Sequence, residues 1–476
     1  MKYIKLKFFI INILMIPAMT FGQSSGNNYQ AMFSKILKEA FEKNVFSGNV
    51  IVVKDGNIIF KESMGKADEA NNIDNTSETK FQTGSITKTF TKVLIHQLAE
   101  ENRIDMSDKL GKYLSGFSPE AADNVTIQQL TDHTSGFGDF FAESLNPQMT
   151  MNVENISDVL PFIQKEKLQF TPGSKTQYSN SGYVILANLI ERVEGKKFEE
   201  ILKERIFDKL GMNSTGFKTV NIEIQGKAKG YLTNQLGPKK NNSQMNIIGA
   251  GAGGIYSTTD DMYKFAYSLS SDNILLSDEY KVKFFNSPLF PVQYSSWNEF
   301  KQKGRFAVAG GAPGISAVMG INMEKDYVII VLSNYDEGTA EEVFKRLSAV
   351  LNDREITPFN PPHAKMIYNI IKEKGADNFI ANYKTELSSA GIKLEDDMIL
   401  LFAGQELLRE NDADNAIALY TVYTNEFPNI VVAWNDMGDA YLLKGEKDKA
   451  RKCYEQALKI RPANVRAKES IEKLNR

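Results

Sequence analysis

The chain has 476 residues, of which 42% are hydrophobic and 24% charged, and its formal net charge is −3. The length predicts two or three globular domains with room for real cores. The charge balance offers no basic field of the kind that nucleic acid or an anionic membrane surface attracts, so neither is expected as a partner.

In chain order, the first 22 residues read as a signal peptide. Lys2, Lys5 and Lys7 give a positive start, Phe8 to Phe21 is almost wholly apolar, and Thr20 and Gly22 are small residues suited to cleavage before Gln23. The run is shorter than the roughly 20 apolar residues of a spanning helix, and it contains Pro17. A periplasmic or secreted protein with no stable membrane anchor is the expectation.

Residues 28–44 have the pattern of an amphipathic helix. Val50–Val53 and Ile58–Phe60 read as two strands joined at Asp55-Gly56, a tight-turn pair. A helix is predicted over 86–100, and mixed helix and loop to about residue 300. Strands return at Phe306–Ala309, Ile315–Ile321 and Tyr327–Leu332, followed by a helix over 339–351. Strands at both ends with helices between them predict an α+β domain over 27–355: an antiparallel sheet built from both ends, covered by a helical insert.

Pro358, Pro361 and Pro362 mark a linker, and 356–396 is expected to be linker plus a helical segment, with 364–390 a candidate degenerate repeat. Beyond it Trp434, Gly438, Tyr441, Ala450, Tyr454, Ala457 and Pro462 have the spacing of a tetratricopeptide repeat. Positions 34 residues earlier, Leu400, Gly404, Leu407, Ala416, Tyr420, Tyr423 and Pro428, repeat it in register. Residues 397–476 are therefore expected to be an all-α repeat module with a capping helix over 464–475, open to a protein partner. Cys453, the only cysteine, falls on the core face of this module and excludes any internal disulfide.

The three histidines, His96, His133 and His363, do not support a Ser-His-Asp triad, since no G-x-S-x-G turn precedes any serine. His96 is expected half-buried on its helix and His363 in the linker. No H-E-x-x-H, cysteine cluster or Walker loop is present, so no metal and no cofactor are expected.

A different nucleophile is spelled out at Ser85-Ile86-Thr87-Lys88. Residues i and i+3 share a helical face, with Cβ atoms about 5–6 Å apart, so a lysine amine can take the serine proton if it is held neutral. Ser63, Ser77 and Ser470 also have a lysine three residues on. Only Ser85 follows a small glycine turn, Thr83-Gly84, and opens a long apolar-periodic helix. Tyr178-Ser179-Asn180 offers a phenol to relay a proton and an amide to hold substrate. Gly310 and Gly311, at the end of a strand, read either as an oxyanion-hole edge or as a plain hairpin turn.

These residues resemble the serine β-lactamase and penicillin-binding-protein superfamily, in particular its class C β-lactamase-related hydrolases. The likeness spans about residues 30–352. It includes Phe81–Lys88, Leu130-Thr131-Asp132-His133-Thr134-Ser135-Gly136, Pro172-Gly173 through Tyr183, Leu210-Gly211-Met212 and Gly253-Gly254-Ile255-Tyr256-Ser257. The resemblance implies a β-lactamase/transpeptidase-like fold. It also implies that Ser85 is acylated, Lys88 is the acylation base, Tyr178 relays protons and activates water, and Asn180 positions substrate, with His133 in a structural loop. One place departs. Where the family has Lys-Thr-Gly or His-x-Gly, this chain reads Val308-Ala309-Gly310, which removes the side chain that would recognise a carboxylate; Arg305 is a candidate replacement cation. The expected activity is acyl-enzyme hydrolysis of an ester, amide or D-amino-acid peptide. The alternative is an inactive hydrolase fold that docks partners through its repeats.

Overall fold

The computed structural model describes residues 29–138, 155–218, 223–233, 240–241, 249–360, 363–394, 399–462 and 464–475. The expected signal peptide and its cleavage site lie outside them. Among the described residues no helix is long and apolar enough to cross a membrane. The chain divides into two compact units, meeting between Phe359 and Asn360.

The first unit is built on a five-stranded antiparallel sheet. Helix α1 (Tyr29–Glu42) leads into β1 (Gly48–Lys54) and β2 (Asn57–Met64). The other three strands, β3 (Arg305–Ala312), β4 (Ile315–Asn322) and β5 (Tyr327–Ser333), come from the far end of the unit. The sheet order is β3-β4-β5-β1-β2. The two ends of the segment meet in its middle, where β1 pairs with β5 from Gly48↔Ser333 to Lys54↔Tyr327.

Both faces of this sheet are covered, which explains why β1 and β5 are buried at nearly every position and carry unbroken apolar runs, Val50–Val53 and Tyr327–Leu332, rather than alternating. Val50, Val52, Ile329 and Val331 pack on one side with Phe33 and Leu37 of α1 and with Val343 and Leu347 of helix α5 (Thr339–Leu351). Ile51, Val53, Ile330 and Leu332 point to the other face, against helix α2 (Thr87–Glu100) and the helical insert. Each such side chain contributes about 1.5–3 kcal/mol on burial, so a one-residue slip in register would exchange two full cores. The insert supplies α3 (Asn180–Glu194) and α4 (Asp278–Phe285), both in contact with α2.

The first unit extends past residue 355. Phe359 is buried under α1 and α5, the Arg346 guanidinium lies 3.8 Å from its ring centroid, and Arg346 donates to the carbonyls of Thr357 and Pro358. The segment expected as linker is thus partly core.

The second unit is helical throughout: α6 (His363–Lys374), α7 (Ala376–Ser389), α8 (Ile399–Arg409), α9 (Ala413–Glu426), α10 (Val431–Leu443), α11 (Lys447–Ile460) and α12 (Val465–Leu474). The α8–α9 and α10–α11 pairs carry the 34-residue period. Gly404 and Gly438 are what let each pair close. A Cβ at these positions would stand 2.5 Å from the Tyr420 ring and 2.6 Å from the Tyr454 ring. Cys453 is buried in this unit, and burial pushes its thiol up to about 11, away from reactive thiolate.

Candidate active site

The polypeptide turns sharply into α2. Gly84 takes a left-handed backbone (φ 51°), and Gly84–Ile86 forms a 3₁₀ turn before the helix proper begins at Thr87. Thr83 and Thr87 fix this turn from below. Thr83 donates from its backbone N–H (2.9 Å) and its hydroxyl (3.1 Å) to the Ile255 carbonyl, while the Thr87 hydroxyl accepts from Ile255 N–H (3.2 Å).

Ser85 therefore stands half-exposed at the helix mouth, and the next turn carries Lys88 behind it. Lys88 Nζ is 3.0 Å from Ser85 Oγ and 2.7 Å from the Ala252 carbonyl oxygen. Its side chain is only 6% exposed. Tyr178, on the loop that leads into α3, donates its hydroxyl to Ser85 Oγ at 2.9 Å. Lys88 Nζ also lies 5.0 Å from the Tyr178 ring centroid and 5.9 Å from that of Tyr183. One hydroxyl is thus met by an amine and a phenol from two different elements, an arrangement suited to removing its proton and delivering it elsewhere. Asn180 sits two residues beyond Tyr178 in the first turn of α3 and is buried.

The edge strand β3 closes the other side. A Cβ on Gly310 would stand 2.1 Å from the Thr83 carbonyl oxygen and 2.6 Å from Ser85 N. Only glycine allows this approach, which lays the backbone of β3 alongside the N–H of Ser85. That is the placement a two-donor oxyanion site requires. Gly311 faces the other way, onto the Glu337 side chain. Burial and the neighbouring Glu341 and Asp336 carboxylates push Glu337 up to about 7. Val308 is half-buried against the site-side core and brings no charge. Arg305 does not replace it. The guanidinium is paired with Glu324, five residues down the strand from Gly310, about 17 Å at strand rise.

His133 is buried beside the Tyr178 loop, and its surroundings give it a structural task. Its backbone is left-handed (φ 58°), its ring is stacked between Tyr178 (4.7 Å) and Tyr183 (5.0 Å), and its Nδ1 accepts the Ser179 N–H at 3.0 Å. Burial, together with the Lys88 and Lys92 charges, holds it well below the usual imidazole range, so the ring is neutral. It acts as a wedge that sets the Tyr178 loop.

His96 corrects an expectation. It was expected half-exposed, yet it is 1% exposed, packed against Tyr280 and Phe284 of α4. An amphipathic pattern shows one apolar face; it does not show that another helix covers part of the polar one. The competing Ser-x-x-Lys segments lie elsewhere. Ser63 is within β2, Ser77 bonds Glu78, and Ser470 is inside α12. Sequence reasoning missed two groups that meet Lys88 in the site: the Tyr183 ring and the Ala252 carbonyl. The glycine run Gly249–Gly254 was a signal for the second, since backbone that must approach a buried side chain tends to be glycine-rich.

Comparison with known proteins follows the same division. A family model described as Beta-lactamase matches residues 31–351, and one described as Tetratricopeptide repeat matches 431–464. The chain is 29% identical over 351 residues to penicillin-binding protein 4* of Bacillus subtilis, covering 68% of this chain and 74% of that protein. It is 28% identical over 280 residues to a teichoic acid D-alanine hydrolase of Staphylococcus aureus, covering 55% and 68%. Among solved structures, a penicillin-binding protein from Bacillus halodurans superposes with a TM-score of 0.59 at 28% identity, covering 66% of this chain and 98% of that one.

Proposed function

The chain belongs to the beta-lactamase family, and on that premise we propose that it is an exported serine hydrolase working through an acyl-enzyme at Ser85. The observation that carries the reading is the convergence of Lys88 Nζ (3.0 Å) and the Tyr178 hydroxyl (2.9 Å) on Ser85 Oγ.

In the first step Ser85 Oγ bonds to the substrate carbonyl carbon and its proton passes to the Lys88 amine. The carbonyl oxygen takes the negative charge between the N–H of Ser85 and the β3 backbone at Gly310–Gly311. The tetrahedral species then loses its leaving group, which collects a proton relayed through Tyr178. Water repeats the sequence against the ester. Its proton goes to the same Tyr178–Lys88 pair, the acyl–Oγ bond breaks, and Ser85 is restored. Asn180 holds the substrate in register.

The substrate class follows from what β3 lacks. With Val308 in place of a cation, a carboxylate beside the scissile bond finds no charged partner, so an ester or amide without that carboxylate is favoured over a β-lactam or a peptide C-terminus. The similarity to a teichoic acid D-alanine hydrolase supports a D-aminoacyl ester or amide within this class. The repeats at the C-terminal end would dock a protein partner.

The test is labelling of the intact protein with a fluorophosphonate, followed by Ser85→Ala. One labelled residue that disappears in the variant, with turnover of p-nitrophenyl acetate falling at least ~10⁴-fold, is expected. Labelling that persists in Ser85→Ala defeats the assignment. The bare Val308 position also favours a second reading, a binding protein on a retired hydrolase fold. Turnover above the Ser85→Ala background rejects it.

A further inference from the structure

The proposed chemistry needs Lys88 to give up its proton readily, and the edge strand offers no cation to encourage this. A second positive charge lies instead on the buried side. Lys92 is one turn further along α2, so Ser85, Lys88 and Lys92 share a helical face at i, i+3 and i+7. Its side chain is 6% exposed. Its ammonium lies 5.3 Å from the Phe284 ring centroid, and among the described residues no hydrogen bond or ion pair to it is found. Burying a lysine this way is costly.

We infer that Lys92 is a positioning residue of the active site, supplying from behind the cation that β3 lacks at Val308 and thereby favouring the neutral amine of Lys88. The inference rests on the reading of Lys88 as the base.

The groups around Lys92 leave its charge little opposed. On α2 they are Lys88 and His96; His96 is kept neutral by burial. His133 is neutral too, lowered by burial and by the charges of both lysines. From α3, Tyr183 is held protonated by burial and donates to the Thr131 carbonyl. From α4, Lys283 is paired with Glu279, and Tyr280 and Phe284 present rings. Among the described residues Asp132 is the one facing anion, and its carboxylate accepts from Gln128 rather than pairing with Lys92. Burial brings Lys92 itself down to about 8, against a partial lift from Asp132. It is therefore charged at neutral pH, and its influence on Lys88 fades as pH passes about 8.

The experiment is a side-chain NMR titration of the full chain with isotopically labelled lysine, in wild type, Lys92→Met and Asp132→Asn, with Lys88 assigned through Lys88→Met. Removing a neighbouring like charge should raise the Lys88 midpoint by about one pH unit in Lys92→Met. The acid limb of the fluorophosphonate labelling rate should move up with it. Lys92→Met should also raise Tm, because an apolar side chain replaces an ammonium in an apolar shell. If that variant does not fold, Asp132→Asn decides. It should lower the Lys92 midpoint, so the charge facing Lys88 is lost at lower pH and the Lys88 midpoint moves up, the same direction as in Lys92→Met. An unmoved Lys88 midpoint in folded Lys92→Met, or a Lys92 midpoint that shifts in Asp132→Asn while Lys88 stays put, overturns the inference. The NMR readout needs no turnover, so a protein that Ser85 labelling shows to be inactive would sink the proposed function and leave this inference separately decided.

Discussion

Both units bring backbone into close contact at glycine, yet the contacts do different things. In the first unit Gly84 and Gly310 let two chain segments touch so that Ser85 N–H and the β3 backbone face one point. In the second, Gly404 and Gly438 let one helix accept a tyrosine ring from its partner. Buried polar groups divide in the same way. Lys88 bonds the Ser85 hydroxyl and His133 braces the loop that brings Tyr178 to it, whereas Asp436 in the repeat unit serves structure, paired with Arg466 and bonded to Gln405. A close glycine contact alone therefore does not mark a site. What marks it is a nucleophile on the other side of the contact.

The largest expected effect tests that distinction directly. Gly310→Val would drive side-chain atoms into the Thr83 carbonyl and the Ser85 N–H, so β3 must withdraw. Labelling and turnover are expected to fall at least ~10³-fold, the scale of losing an oxyanion donor with its geometry. Gly438→Ala applies the same insult to Tyr454 and is expected to cost about 1–3 kcal/mol of the repeat unit's stability in chemical denaturation, the usual penalty for overpacking. Ser85 labelling should be unaffected. A loss of labelling in Gly438→Ala would break the comparison.

How much of this was legible in the sequence also differs between the units. The repeats announce themselves because a 34-residue period recurs at seven positions in two copies. The five strands and the α2 start were readable because apolar runs, the Asp55-Gly56 turn and the Thr83-Gly84 step are local signals. The convergence of Ser85, Lys88 and Tyr178 was readable only through family likeness, since 93 residues separate Ser85 from Tyr178. Lys92 was not readable at all. In a pattern of Thr, Lys and Phe it looks like a polar position, and only the covering helix α4 and the Asp132–His133 loop turn it into a buried charge. The Ala252 carbonyl escaped for a simpler reason: a backbone acceptor has no side chain to recognise. Phe359 escaped because prolines on both sides of it suggested a linker, and the burial of its ring is a tertiary fact.

The smallest predicted effect sharpens the comparison within the repeats themselves. Tyr420 and Tyr454 are 34 residues apart and equally buried, each covering a glycine of its own pair. Their hydroxyls are not equivalent. Tyr454 donates to Asp439 at 2.5 Å. At the matching position of the earlier repeat stands Gln405, which bonds Asp436 instead, and no partner to the Tyr420 hydroxyl is found among the described residues. A bonded buried hydroxyl is worth about 1 kcal/mol, whereas an unbonded one costs its desolvation. Tyr454→Phe is therefore expected to destabilise the repeat unit by about 1 kcal/mol, and Tyr420→Phe to leave it unchanged or gain up to about 1 kcal/mol, measured as shifts in denaturant midpoint at constant m. Equal losses at the two positions would show that the repeats are bonded alike, and that the replacement of Asp439 by Gln405 in the register has no energetic consequence.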